Sequence, residues 1–413
     1  MRVFSRPLLA LAAGLIAGCS DSPTSPTAKE IDELPRALTG AEQQISSAGN
    51  GFSFSLFRQI NEAQPDSNVF ISPLSASMAL GMTMNGAAGT TYDAMRGTLG
   101  FAGATQSDIN NGYKGLIALL RGLDSATDFR IANSIWYRNG FPFEPLFLSE
   151  SRDYFDAEVT GLDFGDPASP TTINSWVDRS TNGKIDKILD EIDPDHVMFL
   201  INAIYFKGSW QQRFNKSETH NAPFHSIDGT VSQVPLMHKK DVLRYLETSE
   251  FQSVDLLYGN SAFAMTVLLP KAHMDVNALV ASMSEAEWKE WTEQFRETEA
   301  ELFLPKFKLE YERKMNDDLT ALGMGIAFTT SADFTRMSPR GRELSISYVK
   351  QKTYVDVYEE GTEAAAVTVV GIEVTSLPSI PVMNVNRPFV FAIRERFSGT
   401  ILFIGKIVEL PAS

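Results

Sequence analysis

Hydrophobic positions along this chain recur at two spacings. Phe52, Leu56, Phe57 and Ile60 fall on one face of a helix, and residues 275–291 return to the same helical period. Residues 129–137, 198–206, 262–269, 301–309 and 346–357 instead form short apolar runs rich in β-branched and aromatic side chains, which predict strands. No internal repeat or second linker interrupts the series. The pattern therefore predicts one mixed α and β domain over residues 46–413.

One stretch, EEGTEAAAVTVVGIEVTS at residues 359–376, reads in two ways. At a period of two, Thr362, Ala364, Ala366, Thr368 and Val370 share one face, and Glu363, Ala365, Val367, Val369 and Gly371 share the other. The first set is small enough to enter a packed interior. Gly361, Gly371 and the following TSLPSIP have the composition of an exposed loop. The segment is thus either an edge strand ending in a turn or a loop able to become a buried strand.

Composition narrows the partners. With 413 residues, 43% of them hydrophobic, the chain can bury a large core. Its net charge of −15 offers no basic excess to release counterions from a phosphate backbone. Nucleic acid and heparin-like polyanions are therefore not expected as partners, and a monomer is the expected state.

The first residues read as a processing signal. Arg2 and Arg6 precede an apolar run that ends in Ile16, Ala17, Gly18 and Cys19. This resembles the lipobox of bacterial lipoproteins, with a signal peptide over 1–18 and Cys19 becoming the acylated first residue of the mature chain. A simple secretory signal with an incidental cysteine is the alternative. Cys19 is the only cysteine, so no intrachain disulfide can form. Residues 19–45 are rich in Ser, Thr, Pro and acidic residues and read as a flexible tether. An exported, membrane-anchored domain on a bacterial envelope is expected, and Ser20 after the cysteine favours the outer membrane by resemblance to lipoprotein sorting.

No nucleophile elbow, phosphate loop, zinc helix or paired-cysteine metal site appears. The five histidines are scattered, and His220, His225 and Glu218 flank a polar Pro-containing stretch, which reads as surface imidazoles in preference to ligands. No cofactor, metal or catalytic residue is expected, and the chain is not read as an enzyme.

Several blocks together resemble the serpin family. They are NVFISPLSASMALGMTMNGAAGTTYDAMRGTL (68–99), INSWVDRSTNGKI (173–185), FLINAIYFKGSWQQRF (199–214), VPLM (234–237), LPKFKLE (304–310), VNRPFVFAI (385–393) and FIGKI (403–407). EEGTEAAA at 359–366 resembles the family's hinge, and the order of the blocks matches throughout. The resemblance implies an α+β fold with helices packed around three β-sheets and an exposed reactive-centre loop over about 359–381.

It also implies inhibition of serine proteases by a suicide-substrate mechanism. The protease attacks the loop, forms its acyl-enzyme, and is trapped covalently when the cut loop inserts as a strand. Glu359, Glu360, Gly361, Thr362, Glu363, Ala364, Ala365, Ala366, Val367 and Thr368 would form the hinge. Counting onward from Gly361 as in inhibitory relatives places the reactive bond at Thr375–Ser376, with Val374 and Leu377 as alternatives. These small, uncharged residues suit an elastase-like or subtilisin-like target. Ser72, Ser75 and Asn202 resemble the cluster where the sheet opens, with Gln351 standing where the family commonly has a histidine. Trp210, Lys306 and Glu359 resemble the group where the hinge enters, including a Lys306–Glu359 ion pair. A member that no longer inhibits, and binds a ligand or partner instead, remains the alternative.

Overall fold

The structure, a computed structural model, describes residues 29–193, 195–362 and 380–412. Cys19, Glu363, Ala364, Ala365, Ala366, Val367, Thr368, Val374, Thr375, Ser376 and Leu377 lie outside the described residues. The strands in chain order are β1 (Val69–Ile71), β2 (Asp128–Arg138), β3 (Ala157–Leu162), β4 (Met198–Ser209), β5 (His220–His225), β6 (Val231–Glu247), β7 (Phe251–Tyr258) and β8 (Phe263–Pro270). They continue with β9 (Arg296–Pro305), β10 (Phe307–Lys314), β11 (Lys350–Tyr358), β12 (Gly361–Thr362), β13 (Val382–Asn384), β14 (Phe389–Glu395) and β15 (Ile401–Ile407). The principal helices are α1 (Gly40–Ala63), α2 (Pro73–Met84), α3 (Gly89–Thr98), α4 (Gln106–Gly122), α5 (Pro145–Phe155), α6 (Ser169–Ser180), α7 (Val276–Ser282) and α8 (Glu285–Gln294).

The α+β architecture follows from two hydrogen-bonded networks. One sheet runs β10-β11-β12-β4-β2-β3, and the other runs β1-β15-β14-β8-β7-β6-β9-β13 with β5 on β6. The three expected sheets join into two networks because β6 is unbroken. Its residues 231–236 pair with β5, residues 236–245 with β9, and residues 244–247 with β7. α1, α2 and α4 enclose the main core between the sheets, where Phe57, Phe70, Phe391 and Phe403 are fully or nearly fully buried. A second core of Trp136, Ile173, Trp176 and Phe199 lies under α6 on the other face of the smaller sheet.

Order begins ahead of the expected boundary at residue 46. Thr39 caps α1 in a reciprocal box with Glu42, and Arg36 grips the Glu42 carboxylate through both terminal nitrogens at 2.7 Å. Upstream, the Ile31 amide donates to the Asn260 carbonyl at 2.9 Å, while Ile31, Leu34 and Leu38 pack on the core. The run 301–309 also divides, into β9 and β10. The Lys306 amide there donates to Pro235 O at 2.8 Å, and the chain passes from one sheet to the other. Helical residues 275–291 divide at Met283, because the Ser284 side chain accepts from Glu287 N and starts α8 anew.

Candidate functional site

β12 is two residues long and lies between β11 and β4, antiparallel to both. Thr362 opposes Val357 on one side and Gly208 on the other, and Gly361 opposes Tyr358 and Ser209. Among the described residues no ladder joins β4 directly to β11. The sequence dictates glycine at 361. Its φ is +147°, and a Cβ there would stand 2.2 Å from the Gly208 carbonyl oxygen. Gly208 is equally constrained, since a Cβ would press on the Tyr258 ring at 2.7 Å.

The loop expected to be exposed from residue 359 is buried over its first four residues. Glu359, Glu360 and Thr362 are each only 4% exposed. The Thr362 hydroxyl shares a hydrogen bond of 2.8 Å with Tyr258 Oη. Burial pushes the Tyr258 hydroxyl up, so it stays protonated as a partner. Thr362 has therefore already entered the sheet, and the pairing energy of a two-residue strand explains why. Each end is held by backbone hydrogen bonds worth about 0.5–1.5 kcal/mol net apiece.

The two carboxylates ahead of it are held separately. Lys306 Nζ lies 3.0 Å from Glu359 Oε2, Thr219 Oγ1 donates to Glu359 Oε1 at 2.9 Å, and Lys216 Nζ lies 2.5 Å from Glu360. Burial alone would raise the Glu359 carboxyl. Its own amide, Lys306 and Thr219 outweigh that effect and hold it below the ordinary carboxylate range. A depressed carboxyl contributes anchoring that is full above its unfolded pKa of about 4 and is lost as pH falls below it. Trp210 reads backbone and not charge. Its Nε1 donates to Tyr358 O and its amide to Glu360 O, both at 2.9 Å, and its ring stacks on Tyr258 at 4.4 Å.

Of the second cluster, Ser72, Ser75 and Gln351 are linked by hydrogen bonds, while Asn202 makes none to them but lines the same cavity as Ser75 and Gln351. Ser72 N donates to Gln351 Oε1 at 2.9 Å, and Gln351 Nε2 donates back to Ser72 O at 2.8 Å. Ser72 Oγ donates to Leu402 O at 2.7 Å and caps α2 by accepting from Ser75 N. The amide of Gln351 thus engages both of its ends, which a neutral imidazole could also do, but without titrating near neutral pH. Asn202 instead donates to Asn133 Oδ1 on β2, and its own Oδ1 is buried without a partner among the described residues.

A cavity of about 250 Å³ lies between β4 and β11 and is lined by Ser75, Asn202, Ile204, Gln351 and Thr353 among others. A much smaller one, bordered by Phe206, Val355 and Thr362, lies between it and β12. The two cavities are in line below Thr362.

Tyr258, Gly208, Lys216 and Thr219 escaped sequence reasoning. Gly208 lies within the quoted FKGSW block and could have been flagged as a glycine inside a strand. Lys216 and Thr219 occupy an ordinary polar stretch with no periodic signal. Among the described residues no cluster of His, Cys, Asp and Glu has metal-binding geometry. His238 contacts Glu218, while His225 donates its backbone amide to Asn386 O.

A two-residue strand seated between two long strands of a six-stranded sheet, beside a second, nine-stranded sheet, is the arrangement in which the sequence blocks come together. The family profile described as "Serpin (serine protease inhibitor)" matches residues 47–410, and the chain belongs to the serpin family. It is 33% identical to leukocyte elastase inhibitor from Bos taurus, over 88% of this chain and 99% of that protein. It is 30% identical to corticosteroid-binding globulin from Pongo abelii, over 90% of this chain and 92% of that protein. Among solved structures it superposes with TM-score 0.81 and 33% identity on the thermophilic serpin tengpin in its native state, covering 93% of this chain and 97% of that one.

Proposed function

We propose that this chain is a membrane-tethered inhibitor of serine proteases, consumed as a substrate-like trap and not turning over as a catalyst. The observation that carries the reading is the seating of Thr362 between β11 and β4, at the head of a continuing set of small alternate residues. Carrying the observed register downward sets Ala364 opposite Phe206 and Val355, Ala366 opposite Ile204 and Thr353, and Thr368 opposite Asn202 and Gln351. Those positions line the two cavities, and Val355, Thr353 and Gln351 all face the main core. A dozen new pairings at about 0.5–1.5 kcal/mol each would release on the order of 10 kcal/mol, enough to drive the rearrangement.

The target reads as elastase-like or subtilisin-like, because Val374, Thr375 and Leu377 carry no charge for a trypsin-like pocket. Mixing the purified protein with each protease class should give a complex that survives a denaturing gel, with the cut after Thr375 or a neighbour. Clean cleavage without complex for every protease would remove the inhibitory reading. In that case the 250 Å³ cavity supports a ligand-binding member of the family, the function that the name corticosteroid-binding globulin gives one relative.

The anchor is tested separately. Cys19→Ser should move the protein from the membrane pellet to the soluble fraction, since stable attachment needs the acyl chains. A variant that still sediments with membranes would show that Cys19 is not the attachment point.

A further inference from the structure

His238, on β6, holds a place that neither the hydrophobic pattern nor the family blocks single out. Its Nδ1 lies 3.0 Å from Glu218 Oε2 and its Nε2 lies 2.9 Å from Glu301 Oε1. The ring stacks on Phe303 with centroids 4.6 Å apart. Ionised carboxylates only accept hydrogen bonds, and a neutral imidazole has one donor nitrogen and one lone pair. Both contacts are therefore hydrogen bonds only when both ring nitrogens carry a proton.

Each carboxylate leads to one flank of residues 363–379. Glu218 closes a 3₁₀ turn whose Lys216 pairs with Glu360, and the next residue, Thr219, donates to Glu359. Glu301 lies on β9, where its amide donates to Pro381 O at 2.9 Å and its strand partner is Val382. One imidazole thus bridges the turn that grips the start of the hinge and the strand that receives the chain on its return.

The other charged groups nearby are committed elsewhere. On β6, Lys239 turns inward to Gln212 O and Lys240 pairs with Glu299. Asn215 Nδ2 donates to the second oxygen of Glu218 at 3.0 Å, and Lys306 serves Glu359.

We propose that His238 is a positioning residue for the hinge, and that its doubly protonated form pins both flanks of residues 363–379. When the ring loses its second proton, one nitrogen turns a lone pair toward a carboxylate. The bridge opens on that side and the flank anchored there loosens. The direction is fixed by the donor count: tight at the acidic end, loose at the alkaline end. The inference rests on reading 359–376 as a hinge, but its test involves no protease.

Amide hydrogen exchange of the intact chain, corrected for the intrinsic pH dependence of exchange, should be followed in segments 214–220, 357–362 and 380–385 at pH 5.5 and 8. Protection of one flank, either 214–220 with 357–362 or 380–385, is expected to fall at least fivefold at the higher pH, while the other flank keeps its hydrogen bond. His238→Lys, whose ammonium keeps its charge and has three donors, should retain protection at both pH values. His238→Gln, whose donors sit on a single nitrogen beside an oxygen that only accepts, and which does not titrate, should show the lower protection at both. Equal wild-type protection at the two pH values would overturn the proposal, and so would a wild-type pH profile in His238→Gln. Should the variants fail to fold, the wild-type comparison alone decides. A pH-dependent chain that traps no protease would leave this inference standing and remove the inhibitory reading, whereas a flat profile in a chain that traps protease would do the reverse.

Discussion

Ala366→Arg is expected to turn the protein from inhibitor into substrate: the target protease should still cut the loop, but the gel-stable complex should vanish. If β12 extended in its observed register on insertion, position 366 would meet Ile204 and Thr353 on the core side, where Thr353 is 3% exposed and donates to Phe70 O. An unpaired guanidinium entering there costs several kcal/mol. Even a barrier raised by about 3 kcal/mol slows insertion roughly a hundredfold. Deacylation then wins the race, and the protease escapes. Val367→Arg is the matched control, because the alternation turns that residue away from the core. It should preserve complex yield within about twofold. Equal behaviour of the two variants would refute the assigned faces.

The second large effect concerns stability. Asp255 is fully buried beside Arg394, with Nη2 at 2.7 Å and a side chain only 1% exposed, and Thr266 donates to the other carboxylate oxygen at 2.6 Å. Arg394 also spans Thr266 Oγ1 and Arg396 O, both at 3.0 Å, and its guanidinium lies 5.9 Å from the Trp288 ring centre. Asp255→Ala leaves that guanidinium desolvated without its counter-charge, which costs about 3–5 kcal/mol. The apparent melting midpoint at fixed scan rate should drop by roughly 5 to 10 °C. A double variant, Asp255→Leu with Arg394→Met, should recover most of the loss, because it removes both desolvation penalties. If the double variant melts as low as the single one, the damage arises from packing and not from the stranded charge.

Alternating apolar runs were the legible part of the chain. Residues 129–137, 198–206 and 262–269 lie within β2, β4 and β8 to within a residue or two, because each buries a continuous apolar face. The beginning of α1 was hidden for the opposite reason. Its buried face over 46–50 is polar: Ser46 meets Thr400 Oγ1 at 2.7 Å, and Asn50 donates to Gly399 O while accepting from Ile401 N. Hydrophobic periodicity is blind to a helix that docks through hydrogen bonds. The hinge was legible as a composition and not as a position. Small alternate residues at 362–370 say what can be buried, but only the pairing with Gly208 and Val357 tells that Thr362 is the last described residue of a seated strand. Asn202 was grouped with Ser72 by resemblance, whereas its actual partner, Asn133, is set by the β2–β4 register that pairs the two residues directly.

The two-residue strand β12 has a kinetic meaning. A ladder that grows from one end has an unfavourable first step and cheaper later ones, as closing the first turn limits helix formation. With Gly361 and Thr362 in register, the proposed insertion would start from a nucleus already formed, and every later pairing would be propagation. The polar groups on that path are Thr353, which donates to Phe70 O, and after it Gln351, whose amide is already committed to both sides of Ser72. Control over speed therefore passes from the hinge to the middle of the sheet. On the proposed mechanism, substitutions at Ser72 or Gln351 should change how fast insertion proceeds, whereas those at 359–362 should change whether its nucleus forms.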